Sequence, residues 1–80
     1  MAGMMIDYNT KYKVEARLYG IGDPMGFIVY SKKDGSRLAE LFIDEKTLRV
    51  NYSRLTPSVQ ASMVTKIRKM LPSIKYNYFN

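Results

Sequence analysis

Residues 46–80 of this 80-residue chain hold seven cations and no acid: Lys46, Arg49, Arg54, Lys66, Arg68, Lys69 and Lys75. Residues 1–45 hold six cations against seven acids, so the two parts carry −1 and +7 and the net charge is +6. The chemistry such a segment offers is ion pairing with a polyanion, because each phosphate neutralised by Lys or Arg releases condensed counterions and adds affinity. Six of these residues form the candidate nucleic-acid-binding set: Arg49, Arg54, Lys66, Arg68, Lys69 and Lys75. Tyr76, Tyr78 and Phe79 stand beside Lys75 and add rings on which unpaired bases stack. For Lys66, Arg68 and Lys69 alone, a plainer account is a solvated helix face whose cations suit the C-terminal dipole. No zinc finger, RNP signature, GXXG loop or basic zipper narrows the choice of nucleic acid.

Other chemistry is bounded by what the chain lacks. It contains no His and no Cys, so the usual zinc, haem and iron–sulfur ligand sets cannot be assembled. The commonest neutral-pH acid/base and the thiol nucleophile are missing with them. Asp44 and Glu45 are adjacent in a polar turn, and Glu40 stands alone among apolar residues. None of these makes a paired-carboxylate site, so the expectation is a non-enzyme with no catalytic residue, cofactor or metal. Gly20, Gly22 and Gly26 with Pro24 punctuate one loop. No Lys-Ser or Lys-Thr pair follows them, and the spacing fits neither the Walker nor the dinucleotide pattern. They are expected to join two strands.

No run approaches the roughly 18 apolar residues of a membrane span, and residues 1–10 lack the basic-then-apolar order of a signal peptide. The cationic amphipathic stretch 56–71 fits a membrane-surface helix in outline, but its apolar stripe is what a sheet needs for a core. Size and composition suit a cytoplasmic protein of bacterial or phage type, with no membrane partner.

The elements that must position these residues follow from periodicity. Residues 1–10 are expected to be a flexible leader, residues 11–73 a single domain, and residues 74–80 a tail or short edge strand. Alternation over 11–18, 27–32, 37–43 and 48–52 predicts strands. Asp34-Gly35 predicts a two-residue hairpin turn, pairing Tyr30 with Ala39 and Phe27 with Phe42. Pairing Ile43 with Leu48 across the next turn puts Ile28, Tyr30, Ala39, Leu41, Ile43, Leu48, Val50 and Tyr52 on one face. Thr56 as N-cap and Pro57 at the first position open a helix. Its stripe of Val59, Met63, Ile67, Met70 and Leu71 packs on that face, and Pro72 stops it. The expected fold is α+β: an antiparallel four-stranded meander, with a fifth strand at the C-terminus left open, and one helix on one face.

The uncovered face would then carry Phe27, Val29, Leu38 and Phe42 beside Glu40, Arg49 and Asn51. An exposed apolar patch of that kind marks an interface, so a protein partner or homodimer through these four residues stands as the alternative to nucleic acid. Covering by the leader or the tail would remove the patch.

Overall fold

In a computed structural model the backbone is described for residues 2–20 and 24–79. Part of the glycine-rich loop (Ile21, Gly22 and Asp23) and the side chains of Tyr78 and Phe79 in the aromatic tail lie outside the described residues. Five strands, β1 (Ala2–Asp7), β2 (Tyr12–Leu18), β3 (Met25–Ser31), β4 (Arg37–Ile43) and β5 (Leu48–Ser53), precede one helix, α1 (Pro57–Phe79). All neighbours in the sheet are antiparallel and the order is β1-β2-β3-β4-β5. The α+β class and the antiparallel meander agree with the sequence pattern, while the fifth strand is N-terminal instead of C-terminal.

Within the segment expected to be a leader, Ala2–Asp7 pair with β2, Met4 against Ala16 and Ile6 against Val14. Met4, Ile6 and Tyr8 alternate onto the helix side and pack on the core. Two apolar side chains and a ring at period two give this segment its strand character.

β3 also departs from the register that the sequence predicts. Four residues, not two, close the β3–β4 hairpin: Ser31 N–H donates to the Ser36 carbonyl at 2.9 Å and Gly35 N–H to the Ser31 carbonyl at 2.8 Å. Gly35 has φ of 75° and no other described residue has positive φ outside glycine, so the type I′ turn, which needs two such residues, does not form. Asp34 instead caps the turn, accepting from Ser36 N–H at 3.0 Å and Ser36 Oγ at 2.7 Å. Those bonds hold its carboxyl below the usual carboxylate range. The longer loop, with a bulge next to Val29, pairs Phe27 with Leu41 and Val29 with Ala39. A slip of one residue reverses a strand's faces. Phe27 and Val29 are therefore fully buried under the helix, and Ile28 and Tyr30 face away from it.

The core is one layer between sheet and helix. Phe27 sits beside Ala16 and Leu41, its cross-strand partners, so a large ring lies against a small neighbour. Met63, Ile67, Leu71 and Ile74 of α1 close it from above. Thr56 caps the helix as its sequence predicts: its Oγ1 accepts from Val59 N–H at 3.3 Å. The helix does not end at Pro72 but runs through it. A proline inside a helix costs about 3 kcal/mol. Ile74, three residues beyond Leu71 and buried with it, returns about 1.5–3 kcal/mol on burial. Packing thus offsets the missing bond and carries the tail on as helix.

Candidate nucleic-acid interface

The six C-terminal cations do not form one surface. Positions 66 and 68 lie on opposite flanks of α1, since each helical residue turns about 100°. On one flank Arg68 Nε donates to the Asp44 carbonyl at 3.0 Å and its Nη2 to the Thr47 carbonyl at 3.1 Å. Lys75 Nζ lies 3.5 Å from Asp44 Oδ1 on the same side. Both cations are thereby committed to the β4–β5 turn. The Glu45 backbone N–H, and then Lys75, hold the Asp44 carboxyl below its ordinary range. On the other flank Lys66 Nζ stands 4.7 Å from the centre of the Tyr8 ring, and Lys69 is exposed. Arg49 is on the sheet face away from the helix, 4.3 Å from the Phe42 ring centre. Arg54 stands at the opposite end of the helix from Lys75, its N–H donating to the Leu38 carbonyl at 2.7 Å.

The apolar patch expected from Phe27, Val29, Leu38 and Phe42 is also dispersed. Phe27 and Val29 are core. Leu38 sits at the β4 end of the bulge, half-buried against the core. Phe42 alone stays on the outer face, with the Tyr19 ring centre 5.8 Å away. That contact explains Gly26, where a Cβ would come within 2.5 Å of the Tyr19 ring and 3.3 Å of the Phe42 ring. Ile28 is nonetheless buried on this uncovered face. Its cross-strand neighbours Glu15 and Glu40 are held in place by partners of their own. Arg17 Nη2 donates to Glu15 Oε1 at 3.0 Å, Tyr30 Oη to the same oxygen at 2.7 Å, and Asn51 Nδ2 to Glu40 Oε1 at 2.5 Å. The bond from Arg17, then that from Tyr30, keeps the Glu15 carboxyl below its ordinary range, while burial first and Glu15 second push the Tyr30 phenol up. The outer face is a paired ionic and aromatic layer, not an apolar patch.

What the fold does assemble is a lysine-lined furrow. A shallow depression between the β1–β2 and β3–β4 turns is lined by Lys11, Tyr12, Lys32 and Lys33, with Thr10, Ser31 and Leu38. A second shares Thr10, Lys11 and Tyr12 and reaches Tyr8, Asn9 and the first turns of α1 at Ser58, Val59 and Ser62. A third shares Ser62 and continues along the helix past Ala61, Thr65 and Lys66 to Lys69. Five lysines line the three, and no lining residue is acidic. The nearest carboxylate is Asp7, which pairs with Lys32. The first turn of α1 also contains no acid, so its N-terminal dipole adds to the positive potential.

Backbone bonds give the furrow its shape. Asn9 Oδ1 accepts from the N–H groups of both Lys11 and Tyr12 at 2.8 Å, fixing the β1–β2 turn. Lys32 N–H donates to the Lys11 carbonyl at 2.9 Å and ties the two turns together. Of the residues singled out by sequence, Lys66 and Lys69 belong to the furrow. Lys11, Lys32 and Lys33 do not stand out in the sequence, because they lie in the half whose acids nearly balance its cations. The adjacent Lys32-Lys33 in a turn is the one local sign of them.

Among the described residues no three His, Cys, Asp or Glu side chains gather as metal ligands, and no helix is long and apolar enough to cross a membrane. No protein-family model, curated protein or solved structure matches the chain.

Proposed function

We propose that this chain is a small non-catalytic module that binds single-stranded nucleic acid along the furrow, its phosphates lying on Lys33, Lys32, Lys11, Lys66 and Lys69. One observation carries this reading: five lysines from three separate chain segments line one continuous surface without an intervening acid. Gathering like charges costs self-repulsion, which a polyanion relieves. The path bends from the two turns onto the helix face. A single strand follows such a bend, whereas duplex DNA is stiff over roughly 150 base pairs. Tyr8 and Tyr12, half-buried in the floor, offer ring edges and hydroxyls to bases or sugars.

The test is titration of fluorescent single-stranded DNA, single-stranded RNA and duplex DNA with the wild type and with Lys11→Glu/Lys33→Glu. The expected result is tighter binding to the single strands and its loss in the double variant, with the circular dichroism spectrum unchanged. Equal binding by wild type and variant would refute the reading.

A further inference from the structure

The middle depression of the furrow differs chemically from its two ends. Its lining carries one ammonium, on Lys11, and five hydroxyls, on Tyr8, Thr10, Tyr12, Ser58 and Ser62. Elsewhere in the fold the hydroxyls of Tyr30, Ser36, Thr56 and Thr65 are engaged with protein partners. Among the described residues the five in the depression have no side-chain hydrogen bond. Tyr8 and Tyr12 are half-buried and pack on the core, which holds their rings in place and leaves their hydroxyls unpaired.

The hydroxyls lie between two ammonium groups. Ser58, Ser62 and Lys66 follow at intervals of four residues and share one face of α1. Each step is about 6 Å along the axis. Lys66 Nζ stands 4.7 Å from the Tyr8 ring centre, so this cation borders the cluster on the helix side. On the other side Asn9 Oδ1, accepting from the Lys11 and Tyr12 N–H groups at 2.8 Å, fixes the turn that presents Lys11. The order along the furrow is therefore ammonium, hydroxyls, ammonium. A nucleic-acid strand repeats a matching order, phosphate, sugar, phosphate.

We propose that the furrow takes RNA in preference to DNA, with the hydroxyl-lined depression between Lys11 and Lys66 receiving a ribose through its 2′-hydroxyl. The proposal rests on the nucleic-acid reading above and names the sugar. A side-chain hydroxyl donates one hydrogen bond and accepts at two lone pairs. The 2′-hydroxyl is also both donor and acceptor, so a cluster of hydroxyls satisfies it in either sense. Deoxyribose presents a C–H at that place. It makes no such bond, and it displaces water from hydroxyls that then stay unpaired. Each hydrogen bond of this kind alters affinity by about two- to tenfold.

The test is titration of the full chain with labelled oligouridylate and oligodeoxyuridylate of equal length, which differ only at the 2′ position. The ribose oligomer is expected to bind about tenfold tighter. A 2′-fluoro oligomer keeps the sugar pucker of RNA without the hydroxyl and should bind like the deoxy oligomer. Ser58→Ala/Ser62→Ala removes two hydroxyls from an exposed helix face at no cost in helix propensity. Tyr8→Phe/Tyr12→Phe removes two from the sheet side and keeps the packed rings. Each double variant should bring the ribose-to-deoxyribose ratio toward one and leave the deoxy affinity unchanged. Equal affinity of the wild type for both oligomers, with both lost in Lys11→Glu/Lys33→Glu, would overturn this proposal and leave the furrow reading standing. A ribose preference undiminished in both hydroxyl variants, or shared by the 2′-fluoro oligomer, would overturn it too. Binding of neither oligomer would overturn the furrow reading and this proposal with it.

Discussion

The salt dependence of binding tests the furrow against the dispersed C-terminal cations. Of the five furrow lysines, Lys32 shares its charge with Asp7, leaving Lys11, Lys33, Lys66 and Lys69 free of acidic partners among the described residues. Each phosphate neutralised on a single strand contributes about 0.7 to the slope of log affinity against log salt. Four contacts give a slope of about −2.8, so a fourfold rise in salt weakens binding about 50-fold. Removing three of them in Lys11→Ala/Lys33→Ala/Lys66→Ala leaves a slope of about −0.7 and a loss of only about 2.6-fold. Fluorescence anisotropy with a labelled single strand at several salt concentrations measures both slopes. Arg68→Ala and Lys75→Ala are the controls. Their charges are spent on the Asp44 turn, and their slopes should match the wild type. A triple variant with the wild-type slope, or controls that lower it as much as the triple variant does, would refute the assignment.

Three further outcomes test the fold beneath the furrow. Phe27→Ala should cost about 3–5 kcal/mol in urea unfolding, as for other fully buried rings. Phe42→Ala should cost about 1 kcal/mol, since it loses one tilted ring contact and one stacked guanidinium at a half-exposed site; equal costs would contradict the β3 register. Glu15→Gln should lower stability at neutral pH. Because the folded carboxyl is depressed below its ordinary 4.5, the contribution is present above that value and lost as pH falls through the folded one. The gap between wild type and variant should then close in acid, and a gap that persists there would exclude the Arg17–Glu15–Tyr30 account. Pro72→Ala should raise the melting temperature, gaining up to about 3 kcal/mol. A neutral result would place the helix end before residue 72.

The parts of this fold legible in sequence are those set by local chemistry. Thr56-Pro57 marks the helix start, and the stripe from Val59 to Leu71 marks its buried face. The four-residue turn 44–47 fixes Ile43 opposite Leu48. What misleads is competition between near-equal local signals. Asp34-Gly35 satisfies the sequence rule for a two-residue turn, but Asp34 has an alternative as a side-chain cap for Ser36, and the loop takes it. The longer loop alone would slip the register by two and keep the faces; the bulge next to Val29 makes the net slip one residue, which sends Phe27 and Val29 inward and Tyr30 outward, where its hydroxyl reaches Glu15. A second bulge, opposite Glu40, turns Tyr52 onto the outer face and brings Ser53 opposite Ala39. No alternation along one strand reports a bulge, since its cause is the pairing of two. Pro72 misleads for the reason that Ile74 lies beyond it: a local stop signal is weighed against a burial that only the tertiary structure supplies.

Charge is the quantity that linear order disguises most. The acid-free stretch 46–80 looks like the binding surface because it is contiguous in sequence. A helix, however, distributes consecutive residues around its axis, and the carbonyls and carboxylate of a neighbouring turn consume Arg68 and Lys75. The half with near-zero net charge contributes three of the five furrow lysines; Asp7 pairs with one of them, Lys32, and four of its other acids are placed elsewhere. Glu15 and Glu40 stand on the outer sheet face, Asp34 caps its own turn, and Asp44 binds the far end of the helix. Net charge per segment is therefore the wrong variable for locating a polyanion site in so small a fold. The informative variable is which cations remain without acidic partners after the strands have paired, and β-hairpin turns, where Lys11 and Lys33 sit beside the Asp7-paired Lys32, are where this meander leaves them.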